Sequence, residues 1–199
     1  MRKVAYIIPG FSESNKQNAY KKIAGFFRKK GIRPVPVDIS WKKGVMTDYV
    51  SQAMKRIKGK DVCLFGFSFG AMISLIASTK IKPRTLILCS LSPWFKEDID
   101  ATKKFFENDK KAKKFINTPS WRKQIIELYD YSFNELAKKI KCKTILLVET
   151  GKGTSVSVKR AKDAKMKIKN SKLVLVRGAK HNIRQKQWLS KIKEVISTL

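Results

Sequence analysis

One short segment of the sequence has the residue types and spacing of a nucleophile site. Residues 66–70 read Gly-Phe-Ser-Phe-Gly, which places Ser68 between two glycines in a G-x-S-x-G pattern. Apolar runs on either side predict a strand over 61–67 and a buried helix over 71–78. A sharp strand-to-helix turn exposes a serine hydroxyl, and flanking glycines let neighbouring backbones pass closely. We therefore predict Ser68 as a nucleophile; the alternative is a coincidental turn within a packed core.

A serine hydroxyl becomes a good nucleophile only when a base removes its proton, and the chain has a single histidine. His181 follows the last predicted strand, 173–177, and precedes a predicted terminal helix over 182–198. In a parallel sheet the loops after the strands emerge at one edge, so this loop is expected beside Ser68. We predict His181 as the general base of Ser68.

The elements that must position these residues alternate along the chain. Short apolar runs rich in β-branched residues predict six strands at 4–8, 34–39, 61–67, 85–90, 144–149 and 173–177. Helical spacing between them predicts one helix over 20–27, closed by Gly31, and a second with Thr47 as its N-cap. The alternation predicts an α/β fold: a three-layer α/β/α sandwich with a mostly parallel six-stranded sheet.

We expect one domain over residues 1–199 with an insertion over 93–141. About 50 residues separate the strands at 85–90 and 144–149, more than ordinary connections need. The insertion is charged and helical in pattern but carries large apolar residues, which predicts a helical cap over the carboxyl edge of the sheet. Trp94 and Trp121 of the cap, with Phe67, are predicted to form an apolar acyl pocket; plain core packing is the alternative.

Composition favours a packed globular protein with a strongly basic surface. The chain is 43% hydrophobic and has a formal net charge of +30. Because lysines are spread along nearly every helix, we favour a solvated surface over a binding site for nucleic acid or another anionic partner. Three separated cysteines are expected to be reduced and buried. We see no export signal or membrane span and expect a cytoplasmic protein that needs no metal or cofactor.

The Ser68 motif, the lone His181 and the strand pattern together resemble the α/β-hydrolase superfamily in its compact form, over nearly the whole chain. The resemblance implies a serine hydrolase, a carboxylesterase or lipase-like enzyme that cleaves a small-molecule ester or thioester through an acyl-enzyme on Ser68. It also implies an oxyanion hole made by the backbone N–H groups of Phe69 and Phe11. Pro9 stands where the family often has a histidine in the loop after the first strand.

The resemblance further implies an acid in the loop after the strand 144–149, but Gly153 occupies that position. Glu149 is our first substitute, Glu97 and Asp98 are the second, and a Ser–His dyad without an acid is a further alternative. Asp163 lies on the following helix and is expected to face away from the site. Two other functions stay open: a catalytically silent binding protein of this fold, and a protein associated with nucleic acid or another polyanion.

Overall fold

The computed structural model describes residues 3–41, 44–59, 61–92, 95–98, 100, 123, 127, 130–152 and 156–199. The strands are β1 (Val4–Ile8), β2 (Arg33–Pro36), β3 (Val62–Phe67), β4 (Thr85–Cys89), β5 (Lys143–Glu149) and β6 (Ser171–Val176). The described helices are α1 (Asn18–Lys29), α2 (Met46–Arg56), α3 (Phe69–Ile81), α4 (Phe133–Lys139), α5 (Val158–Lys167) and α6 (Lys186–Ser197), with a short 3₁₀ helix at Lys96–Asp98.

The six strands form one sheet in the order β2-β1-β3-β4-β5-β6. Every neighbouring pair is parallel, so the sheet is fully parallel where the sequence predicted a mostly parallel one. The predicted α/β architecture is confirmed. All six carboxyl ends lie at the same edge, which is where parallel sheets of this kind bind their ligands.

Helices cover both faces of the sheet, and the alternation of side chains along the strands assigns each residue to one face. On one face Ile7, Phe65 and Leu147 pack against α1 and α6. On the other face Ile8 and Leu64 pack against α2 and α3, with α4 and α5 beyond them. The central strands β3 and β4 are buried on both sides, which explains their nearly continuous apolar sequence.

Three predicted boundaries are wrong for local reasons. β2 ends at Pro36, and the Asp38 carboxylate beyond it accepts a hydrogen bond from the backbone N–H of Asn15 in the loop after β1. Helix α2 starts before the predicted cap Thr47: Val45 is the N-cap, and its N–H donates to the carboxylate of Asp48. Helix α6 begins only at Lys186, because residues 182–185 form a separate turn.

The predicted cap over 93–141 lies mostly outside the described residues, which there comprise 95–98, 100, 123, 127 and 130–141. Its last part is α4, which packs beside α3 and α5 on the body of the domain. Among the cysteines, Cys63 and Cys89 are buried as predicted, but Cys142 is only partly buried. No helix within the described ranges is long and apolar enough to cross a membrane.

Candidate active site

The segment around Ser68 forms a sharp turn between β3 and α3. Ser68 has a φ of +54°, and its backbone N–H donates to the carbonyl of Cys89 at 2.9 Å. A Cβ on Gly66 would stand 2.2 Å from the carbonyl oxygen of Gly70, and one on Gly70 would stand 2.3 Å from that of Ile8. Close backbone packing therefore holds the serine in a conformation that residues with side chains rarely adopt.

His181 lies in the loop after β6, which is held against the loop after β5. The backbone N–H of Gly151 donates to the carbonyl of Ala179 at 2.7 Å, and a Cβ on Gly151 would stand 2.5 Å from that oxygen. The glycine thus allows the two loops to touch. In this position Nε2 of His181 is 3.0 Å from Oγ of Ser68.

Glu149 completes a row of three side chains. It is the last residue of β5, its side chain is fully buried, and its Oε1 lies 2.9 Å from Nδ1 of His181. Its Oε2 has no hydrogen-bond partner within the described part of the chain. Of the carboxylates considered from the sequence, Glu149 is the one that the structure brings to the imidazole.

The partners of the ring determine which nitrogen carries hydrogen. An ionised carboxylate only accepts hydrogen bonds, so Nδ1 of His181 donates to Glu149. Nε2 then presents its lone pair to the hydroxyl of Ser68 and can accept the proton. Chemically, the row can turn a serine hydroxyl into a nucleophile.

Sequence reasoning missed a fourth side chain, that of Ser90. It follows β4 directly, is fully buried and has a φ of +50°. Its Oγ lies 2.9 Å from Oε1 of Glu149, to which it donates, and 2.8 Å from Nδ1 of His181. The available signal was its place in the chain, because β4 lies beside β3 and ends at the same edge as the strand before Ser68.

The other predicted carboxylates have different partners. Glu97 accepts hydrogen bonds from the first backbone N–H groups of α4 and so caps that helix. Asp98 and Asp163 both bind the guanidinium of Arg160, at 2.8 Å and 2.6 Å. The prediction of Glu97 and Asp98 as substitute acids is therefore wrong. Across the described segments, no three His, Cys, Asp or Glu side chains come together as metal ligands would.

The predicted acyl pocket needs a correction at Phe67. Its ring is 2% exposed and lies in the core, with its centroid 5.1 Å from that of His181 and 5.6 Å from that of Trp188. Phe67 therefore packs against the imidazole from within the core and does not line an open pocket. Trp94 and Trp121, the other two residues of that prediction, lie outside the described residues.

The two residues predicted to supply oxyanion donors lie beside each other. Phe69 is the first residue of α3, where backbone N–H groups point out of the helix toward the sheet edge. Phe11 lies in the loop after β1, and the two phenyl centroids are 5.5 Å apart. A site flanked by a helix N-terminus is suited to stabilise negative charge.

A partly buried hydrogen-bonded cluster anchors the Phe11 loop where the resembled family often has a histidine. The N–H of Gly10 donates to Oη of Tyr20 at 3.0 Å and to Oε2 of Glu13 at 3.1 Å, and the Tyr20 hydroxyl donates to the same carboxylate. Burial, reinforced by the charge of Glu13, raises the pKa of Tyr20 well above its ordinary value. The phenol therefore keeps its proton and stays a hydrogen-bond donor.

Comparison with known proteins gives matches in structure alone. No protein-family model and no curated protein sequence matches the chain. Est1E from Butyrivibrio proteoclasticus superposes with a TM-score of 0.79 at 15% identity, over 98% of this chain and 86% of that one.

Two further solved structures show the same likeness. An esterase from Pyrococcus furiosus has a TM-score of 0.72 at 16% identity, over 99% of this chain and 82% of the esterase. Alpha/beta hydrolase domain-containing protein 10 from mouse has a TM-score of 0.70 at 13% identity, over 98% of this chain and 88% of the mouse protein. At such low identity the likeness shows the arrangement of the helices and strands, not the function. By that arrangement the chain has the α/β-hydrolase fold.

Proposed function

We propose that the protein is a serine hydrolase that cleaves a carboxylic ester or thioester. The observation that carries the proposal is the continuous row from Ser68 Oγ to His181 Nε2, at 3.0 Å, and from His181 Nδ1 to Glu149 Oε1, at 2.9 Å. Nucleophile, base and orienting acid are the three parts that acyl transfer to a serine needs. The structural likeness to an esterase supports the same reaction class.

In the first half of the reaction, Ser68 Oγ attacks the carbonyl carbon of the substrate and its proton passes to Nε2 of His181. The carbonyl oxygen becomes an oxyanion, for which the resemblance implies the backbone N–H groups of Phe11 and Phe69 as donors. The intermediate then collapses: the bond to the leaving alcohol or thiol breaks, and that group takes the proton from Nε2. The acyl group is left on Ser68.

In the second half, water attacks the acyl carbon and gives a proton to Nε2 of His181. Collapse of the second intermediate breaks the bond to Ser68, which recovers its proton from Nε2, and the carboxylic acid leaves. Glu149 holds the ring throughout and stabilises the imidazolium, without taking the proton itself.

Labelling with a fluorophosphonate probe tests the proposal, because the probe reacts only with an activated serine. We expect wild type to be labelled, Ser68→Ala to show no labelling and His181→Ala to be labelled much more slowly. Ser78→Ala is the matched control: Ser78 is a buried serine of α3, the helix that follows Ser68, and its hydroxyl donates to the backbone carbonyl of Leu75. It should be labelled like wild type.

Turnover of p-nitrophenyl esters and acyl thioesters of graded length then distinguishes the substrate classes. Absence of labelling in folded wild type would contradict the proposal and favour the silent binding protein. A polyanion-associated protein would instead bind nucleic acid with an affinity that falls steeply with salt.

A further inference from the structure

Three polar atoms form a closed triangle behind the imidazole. Ser90 Oγ, Glu149 Oε1 and His181 Nδ1 are separated by 2.9 Å, 2.8 Å and 2.9 Å, each within hydrogen-bond distance of the other two. A simple Ser–His–acid row uses only the contact between the ring and the carboxylate. The hydroxyl of Ser90 is an addition to that row.

The hydrogens in the triangle have one consistent arrangement. Nδ1 of His181 carries a hydrogen and therefore has no lone pair for the Ser90 hydroxyl, which must donate to Oε1 of Glu149. The lone pairs of Ser90 Oγ are left facing Nδ1–H. That hydrogen consequently has two acceptors, a carboxylate and a hydroxyl.

The buried carboxylate needs this second donor. Glu149 is fully buried, and a buried charge is costly unless hydrogen bonds stabilise it. Among the described residues its Oε2 has no partner, so the side-chain donors to the carboxylate in that part of the chain are the imidazole of His181 and the hydroxyl of Ser90. Without Ser90, the imidazole would be the one side-chain donor left to this carboxylate among the described residues.

The backbone conformation at Ser90 directs this hydroxyl toward Glu149. The residue has a φ of +50°, and its N–H donates to the carbonyl of Leu147 on the neighbouring strand at 2.7 Å. Glycine suits this backbone better than serine does, so a purely structural position would be expected to favour glycine. A side chain kept in such a conformation next to a reactive group indicates a role for that side chain.

We propose that Ser90 is a positioning residue of the catalytic row, which fixes the carboxylate of Glu149 and gives Nδ1–H of His181 its second acceptor. This proposal rests on the proposed serine hydrolase function. When the Ser68 proton moves to Nε2, the ring becomes an imidazolium that keeps its Nδ1–H, and no proton passes to Ser90 or Glu149. The hydroxyl acts only by holding both partners in place.

The test removes the hydroxyl in two ways. Ser90→Gly and Ser90→Ala both lack it, and Ser90→Gly also relieves the positive φ, so at least this variant should fold like wild type. Ser78→Ala is again the control, because Ser78 is a buried serine whose hydroxyl bonds within α3 and not to the triangle. We expect kcat on a p-nitrophenyl ester to fall about tenfold in both Ser90 variants with KM little changed, as the loss of one hydrogen bond predicts.

The split between kcat and KM distinguishes a positioning role from general destabilisation, because the Ser90 hydroxyl contacts Nδ1, the ring nitrogen that does not face Ser68. A kcat equal to that of wild type in Ser90→Gly would overturn the proposal.

A measurement without substrate separates this proposal from the proposed function. His181 is the single histidine of the chain, so its ring Nδ1–H gives one histidine signal in NMR spectra of protein labelled with ¹⁵N-histidine. In Ser90→Gly we expect this signal to shift and the hydrogen to exchange with water about tenfold faster, in line with the loss of one hydrogen bond. An unchanged signal would overturn the positioning role, whereas failure of wild type to react with the probe would overturn the hydrolase function alone.

Discussion

Oε1 of Glu149 lies 2.9 Å from Nδ1 of His181 although Glu149 belongs to a strand and not to the loop after it. The loop position of the resembled family is Gly153, which has no side chain to offer. A glutamate at the strand end has one methylene group more than an aspartate, and from the last residue of β5 it spans the distance to the ring. In the proposed mechanism the end of β5 therefore supplies the acid, at the same carboxyl edge of the sheet as the loop after it.

Replacing Glu149 by glutamine should lower kcat by roughly 10³- to 10⁴-fold, because the amide can turn a donor toward the ring and favour the wrong tautomer. KM should change little, since the carboxylate does not face the substrate. Esterase kinetics over a range of substrate concentrations measure both constants. Glu194→Gln is the control, because Glu194 is a solvent-facing residue of α6 whose carboxylate pairs with Lys191. Equal kcat in the two variants would leave a Ser–His dyad as the mechanism.

The glycines of the turn give a stability prediction. Alanine at Gly66 would place Cβ 2.2 Å from a backbone oxygen, so we expect the free energy of unfolding to fall by about 3 kcal/mol or more. Gly25 lies in α1, where a Cβ would meet no described atom within 4 Å beyond its chain neighbours and the backbone of its own helix, and alanine there should raise the free energy of unfolding by about 0.5–1 kcal/mol. Urea unfolding followed by circular dichroism gives both values. Similar stability of the two variants would show that the turn can relax.

The number of strands, their parallel arrangement and the meeting of Ser68 with His181 were predictable because they follow from short-range patterns. Apolar runs mark the strands, and parallel strands bring their ends to one edge, which places the loops of Ser68 and His181 together. The period of two also puts Glu149 on the same sheet face as Ile145 and Leu147, the face on which α6 packs. These relationships need no knowledge of side-chain conformation.

Ser90 and Phe67 show what the sequence could not reveal. Nothing in the local pattern distinguishes Ser90, the serine that follows β4, from an ordinary loop serine, because its proposed role depends on a positive φ and on two residues distant in the chain. Phe67 is apolar and adjacent to the nucleophile, which is equally consistent with a pocket wall and with core packing. Only the direction of its side chain, toward Trp188, decides for the core.

The anchor of the oxyanion loop can be tested at Tyr20. Tyr20→Phe removes the oxygen that accepts from the N–H of Gly10 and the hydroxyl that donates to Glu13, so the loop that carries Phe11 keeps only the contact between Gly10 and Glu13 from this cluster. We expect kcat to fall about 10- to 100-fold, less than when an oxyanion donor itself is deleted. The free energy of unfolding should fall by about 1–2 kcal/mol.

Tyr6→Phe is the matched control for Tyr20→Phe. Tyr6 is also a buried tyrosine, and its hydroxyl bonds to the backbone of Lys58 at the opposite side of the strand layer, facing α2. This variant should lose similar stability and keep its esterase rate. A parallel loss of rate in both variants would mean that general destabilisation, and not the Gly10 contact, lowers the activity.

Stability should decrease at alkaline pH because of the buried thiol of Cys63. Burial raises its pKa from 9.0 to about 12. In the unfolded chain the thiol loses its proton near pH 9, whereas in the folded chain it keeps the proton until about pH 12, so the folded state binds more protons in this window. The contribution of Cys63 to stability is therefore complete below pH 9 and is lost as the pH rises toward 12, by at most about 1.4 kcal/mol per pH unit.

Cys63→Ala removes this titrating group while leaving a small apolar side chain at the position. We expect the variant to be less stable than wild type at neutral pH, because a cavity replaces the sulfur. Its free energy of unfolding should nevertheless fall less steeply between pH 9 and 11, a difference that urea unfolding at fixed ionic strength measures. Tyr49, whose pKa burial raises to about 12, titrates in both proteins and so cancels in the comparison. Identical slopes would mean that the thiol reaches solvent before the fold is lost.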